Sequence, residues 1–154
     1  MWTAATVIVC ALDLLGRSAG TFPPIRLIDG PPPGASANVE GFVLSGDRTI
    51  YLVTSSSAFR DAETSQSRCG NRAAIRKIAS VLVHEEWHVR NGPDERGAYL
   101  AQLTALAALG AGQNTRQYGE VRRAMQATVS PAAAARLERR AQPYPPDPMT
   151  LRRR

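Results

Sequence analysis

His84-Glu85-Glu86-Trp87-His88, inside a helix-like stretch from about Asn71 to Arg90, decides how the rest of this chain is read. On an α-helix, residues four apart lie about 40° apart on one face and one turn along the axis, so the two imidazoles can share one tetrahedral metal. They are the only two histidines in the chain. Glu85 stands directly after the first. Zinc lowers the pKa of a bound water towards about 7, and a carboxylate beside it can take the proton, which is the chemistry of amide hydrolysis. Along the same helix Ile75, Ile78, Ala79, Leu82 and Val89 form one apolar stripe, which must face the core while His84 and His88 point into a cleft. Glu86 falls on that stripe, where a charge needs an Arg or a backbone donor, so the pattern predicts a paired, structural Glu86. Trp87 flanks the ligand face as a packing residue or cleft wall.

A third ligand is expected at Glu95, seven residues after His88, in Asn91-Gly92-Pro93-Asp94-Glu95-Arg96-Gly97-Ala98-Tyr99. Asn-Gly-Pro stops the first helix, and Pro93 and Asp94 suit the first turn of the next, which puts Glu95 at its N-terminus. Two His and one Glu leave one position open for water, with Asp94 as the fallback ligand. The second helix runs to Leu109 before Gly110-Ala111-Gly112 and carries Tyr99, Leu103 and Leu106 on the side of Glu95. Tyr99, one turn beyond Glu95, could give its hydroxyl to the oxyanion of a tetrahedral intermediate. Arg96 and Tyr118 are weaker candidates for that task.

At these residues the chain resembles the gluzincin clan of zinc peptidases, especially its small, minigluzincin-like members. In those, HExxH is followed by a short connection and an Asp-Glu-x-x-Ala-type helix, matched here by Asp94-Glu95-Arg96-Gly97-Ala98. The resemblance covers residues 49 to 110 at most. It implies a zincin-like fold, Zn2+ held by His84, His88 and Glu95, Glu85 as general base and a peptide or protein substrate. It also implies an edge strand that holds the substrate backbone in extended form, for which Thr49 to Thr54 is the candidate. An inner strand is the alternative for that segment.

Around this centre the chain reads as α+β. With 154 residues, 44% of them hydrophobic, it can bury a core without disulfides or a structural metal. Val7, Cys10, Ala11, Leu14 and Leu15 mark one face of a packed N-terminal helix. No basic segment precedes it, and Asp13 interrupts its apolar run, so it reads neither as an export signal nor as a membrane span. The expected compartment is therefore the cytoplasm. Ile25 to Asp29 reads as a short strand, and Val39 to Leu44 with Thr49 to Thr54 as an antiparallel hairpin across Ser45-Gly46-Asp47-Arg48. Together these predict a small antiparallel sheet of about three strands packed on the HExxH helix. Ser55-Ser56-Ser57 can cap a short helix through Ala62, Asn114 another, and Ser130-Pro131 a last one to about Ala141. Residues 1–141 form one expected domain, and 142–154 a Pro- and Arg-rich tail. Cys10 and Cys69 are expected to be ordinary buried thiols, with a bridge between them only in an exported protein.

The net charge of +6 lies wholly after residue 113, where nine Arg face Glu120, Glu138 and Asp147. Basic helical faces are usually only solvated, so the charge does not by itself argue for nucleic acid. The expected function is that of a zinc metallopeptidase. Two alternatives are a zinc-binding regulator or sensor without peptidase activity, and a basic adaptor that binds nucleic acid or an acidic partner through its C-terminal region.

Overall fold

The computed structural model describes residues 1–130 and Ala132. Five helices, α1 (Ala4–Leu14), α2 (Ser57–Glu63), α3 (Arg72–Asn91), α4 (Glu95–Ala108) and α5 (Arg116–Thr128), accompany three strands, β1 (Ile25–Ile28), β2 (Gly41–Val43) and β3 (Ile50–Val53). Polar caps start the helices, because a short side-chain oxygen accepts from an otherwise unpaired amide. Ser56 accepts from Phe59, Asn71 from Ala74, Asp94 from Arg96, and Thr115 from Tyr118. Asn114, expected in that last role, is displaced by its neighbour. The helix expected from Ser130 to Ala141, the 142–154 tail and the arginines beyond residue 132 lie outside the described residues.

Helix α3 is the organising element, packed against α1, α2, α4 and the sheet. Its stripe Ile75, Ile78, Ala79 and Leu82 is buried with Val7 and Ala11 of α1, Phe59 of α2, and Ile50 and Leu52 of β3. A second core lies between α4 and α5, built from Leu103, Leu106, Tyr118, Val121 and Met125. Glu86 is buried and paired as its position requires: Arg17 Nη2 donates to its Oε1 at 2.6 Å and Arg90 Nη2 at 2.7 Å.

The sheet corrects the expected topology. Its order is β1-β3-β2, and β1 runs parallel to β3 with Ile25 opposite Ile50, so the sheet is mixed rather than antiparallel. The β2–β3 pair is antiparallel, as the turn composition predicts. Because β1 occupies its far side, β3 is the central strand, and Thr49 to Thr54 is not an edge. The edges belong to β1 and β2, and of the two it is β2 that lines the same cleft as His84 and His88. Gly41 and Val43 face α3, while Phe42 turns outward and stacks on Tyr51 at 5.1 Å between ring centroids.

Cys10 and Cys69 are joined in a disulfide with a Cα–Cα distance of 5.5 Å, which corrects the expectation of two free thiols. It ties α1 to the loop before α3. Such bridges persist in oxidising compartments, so the disulfide counts against the cytoplasmic placement. Among the described residues no helix is long and apolar enough to cross a membrane.

Candidate metal centre

His84, His88 and Glu95 converge as their spacing demands, each offering one donor atom within 4.8 Å of the others. The two Nε2 atoms are 3.2 Å apart, and Glu95 sets Oε2 at 3.3 Å from His84 Nε2 and Oε1 at 3.4 Å from His88 Nε2. Donors at the corners of a tetrahedron with bonds of about 2.0–2.1 Å stand about 3.3–3.4 Å apart, close to the spacing of the two imidazole nitrogens and of each nitrogen from its nearer Glu95 oxygen, so the group can close on one ion. Asp94, the fallback ligand, is instead the exposed cap of α4, its carboxylate bonded to Arg96 N–H.

Local sequence explains how each ligand is aimed. Helix α3 ends at Gly92, whose φ of +86° suits a residue without a β-carbon. The Gly92 carbonyl turns back and accepts from His88 Nδ1 at 2.8 Å, which leaves the Nε2 lone pair of the neutral ring for a cation. On the other ring, His84 Nδ1 lies 3.0 Å from Gln102 Oε1. Trp87 packs against Gly97 so closely that a β-carbon there would fall inside its ring. That contact fixes the first turn of α4, and with it Glu95, against the ligand helix.

The charges respond to this crowding. Hydrogen bonds from His84 and then His88 hold the Glu95 carboxyl down at about 2, against the opposing effect of its own burial. The hydrogen bond to Glu95 lifts His88 to about 9, although burial works the other way. Glu85 behaves oppositely: burial pushes its carboxyl up to about 7 against the pull of both imidazoles. It is 5% exposed and accepts no hydrogen bond from any described residue, while it lines the cleft next to the ligand triangle. A buried carboxylate without a partner demands a donor such as water.

The cleft has a volume of about 820 Å³ and runs between edge strand β2, the face of α3 that carries the histidines, and the start of α4. Gly41 brings β2 against α3; a β-carbon there would sit 3.0 Å from Val81 Cγ1 and 3.2 Å from Glu85 Cγ. Lys77 and Glu40 pair at 3.0 Å where the cleft meets the strand. Tyr99 forms part of the wall, its ring edge-on to His84 at 4.7 Å and its hydroxyl 3.4 Å from Thr128 Oγ1. Tyr118 lies in the α4–α5 core, 2% exposed, and Arg96 is exposed on the surface, so neither lines the cleft. Sequence reasoning missed Gln102. A signal existed: Glu95, Tyr99 and Gln102 follow i, i+4, i+7 and share one face of α4.

Comparison with known proteins adds no homology to this geometry: no family model, no curated protein and no solved structure matches the chain. The His84, His88 and Glu95 group can hold a metal ion on its own geometry.

Proposed function

We propose that this protein is a zinc-dependent metallopeptidase of gluzincin type. The observation that carries the reading is the convergence of His84 Nε2 and His88 Nε2, 3.2 Å apart, on the Glu95 carboxylate, whose Oε2 lies 3.3 Å from the first and Oε1 3.4 Å from the second, beside an unpartnered buried Glu85. Two imidazoles and a carboxylate at that spacing suit zinc with one position left open, as in catalytic rather than structural sites. When bound, zinc supplies Lewis acidity, acidifying a water and polarising a carbonyl.

The chain's own groups supply the rest. Glu85, buried beside the group and without a hydrogen-bond donor among the described residues, takes a proton from the attacking water and returns it to the leaving nitrogen. The free edge of β2 pairs with an extended peptide backbone, the role first expected of Thr49 to Thr54. Tyr99 donates its hydroxyl to the developing oxyanion after leaving Thr128.

The reading is tested by elemental analysis and a peptide-library digest of native protein, Glu85→Gln and Glu95→Gln. The expected result is about one zinc per native chain with cleavage, zinc without cleavage in Glu85→Gln, and clear loss of zinc in Glu95→Gln. A native chain that takes up no zinc refutes the reading. One that binds zinc but cleaves nothing refutes its peptidase half.

A further inference from the structure

We propose that Gln102 is a positioning residue that, together with Ser80, dictates which nitrogen of His84 faces the metal. This rests on the metal-centre part of the reading above and deepens it. Three buried side chains form the device: His84 at 9% exposure, Gln102 at 5% and Ser80 at 0%.

Its direction follows from its far end. Ser80 Oγ lies 2.7 Å from the Lys77 carbonyl, and a carbonyl can only accept, so the hydroxyl proton is committed there. Ser80 Oγ is then left as an acceptor for Gln102, and the group that reaches it at 3.3 Å must be the amide nitrogen, Nε2. The amide cannot be reversed without setting its oxygen against an oxygen that has no proton to give. Gln102 Oε1 therefore faces His84, 3.0 Å from Nδ1, and only an Nδ1–H satisfies it. Nδ1 therefore keeps its proton, and when the ring is neutral it is Nε2, on the side of His88 and Glu95, whose lone pair is left for a cation. A backbone carbonyl of α3 thus fixes the tautomer of a ligand on that same helix, by way of a side chain on α4.

Glutamine suits this place for a second reason. The cleft already holds Glu85 and Glu95, and a neutral acceptor orients His84 without a third carboxylate. Since α4 carries both Glu95 and Gln102, one rigid helix supplies a ligand and aims another.

Three variants of the full-length chain, disulfide intact, test this at fixed pH by competing for zinc with a chromophoric chelator. Gln102→Met keeps the length without an acceptor, Gln102→Glu keeps the acceptor oxygen, and Ser80→Ala frees the amide to rotate. Gln102→Met is expected to bind zinc about 10- to 100-fold more weakly, Gln102→Glu within about threefold of native, and Ser80→Ala about threefold to tenfold more weakly. Long-range nitrogen–proton spectra of the metal-free native protein, taken at a pH where the ring is neutral, should show His84 as the Nδ1–H form, with a mixture in Gln102→Met. The spectra need no metal, so they judge the tautomer even if Gln102→Met loses affinity through misfolding. Native zinc affinity in Gln102→Met, or equal losses in Gln102→Met and Gln102→Glu, overturns the positioning role alone. Native affinity in Ser80→Ala overturns the relay, and a native chain that binds no zinc overturns the metal reading with it.

Discussion

Replacing Glu85 with Gln should make the metal-free protein more stable at alkaline pH and, on the peptidase reading, abolish turnover. Glu85 is 5% exposed, has no hydrogen-bond donor among the described residues, and sits beside Glu95. Its carboxyl is raised from 4.5 to about 7, chiefly by burial, with His84 and His88 pulling it down and Glu95 adding to the rise. A raised carboxyl means that the folded chain holds the proton more tightly than the unfolded one. The contribution is therefore fully present below about 4.5 and is lost as pH rises through about 7. A rise of about 2.5 pH units at 1.36 kcal/mol each corresponds to about 3 kcal/mol of lost stability by pH 8. Glutamine keeps the shape and carries no charge. In chelator-treated protein with the disulfide intact, urea titrations should show the two chains converging near pH 4.5, with Glu85→Gln ahead by about 3 kcal/mol at pH 8. By melting, that gap is about 6–12 °C for a chain of this size. A variant no more stable than native at pH 8, or a gap that does not change between pH 5 and pH 8, would show that the buried charge is not what Glu85 costs the fold.

Zinc uptake should depend on pH through His88: lifted to about 9, it is protonated at neutral pH, and the metal must displace that proton. Apparent affinity should climb about tenfold per pH unit from pH 7 and level off near 9, with matching proton release by calorimetry in two buffers; a flat profile contradicts the His88–Glu95 pairing. Opening the Cys10–Cys69 bridge, which closes a loop over a sequence separation of 59, should cost about 2–4 kcal/mol in urea unfolding, and a Cys10→Ser chain as stable as native would contradict this. Gly97→Ala should cost about 1–3 kcal/mol by forcing a methyl into the Trp87 ring, and should weaken zinc binding by shifting Glu95. Trp87→Leu in the same chain should recover affinity; no recovery would mean that the Trp87 contact does not set Glu95.

What could be read from the sequence was mostly local. The spacing of His84 and His88, the cap at Asn71, the stop at Gly92 and the charge of Glu86 on an apolar stripe all concern one helix and its ends, where periodicity fixes which side chains share a face. The turn at Ser45 to Arg48 likewise revealed that β2 and β3 pair. It carried no information about which side β1 would add to, since that choice depends on chain returning from Ile28 through the Pro-rich segment to Glu40. The expected edge strand was therefore placed one position too far inward. The disulfide was illegible for a similar reason: two cysteines 59 residues apart have no sequence pattern that distinguishes a bridge from two buried thiols.

Helix α3 shows why the legible part includes the candidate metal centre. Ile75, Ile78 and Leu82 anchor it in the core, and Glu86, bonded to Arg90 within the helix and to Arg17 outside it, ties the C-terminal end to the segment after α1. On the helix so placed, His84 and His88 line the cleft, and Glu85 lies where no described group donates a hydrogen bond to it. The two adjacent carboxylates thus divide the labour. Glu86 is satisfied twice over and stabilises the helix that Glu85 burdens; Glu85, left without a partner, keeps a proton affinity near neutrality. On the peptidase reading, exchanging their environments would give a quieter helix and an inert cleft, and the penalty at Glu85 would belong to the chemistry rather than to imperfect packing.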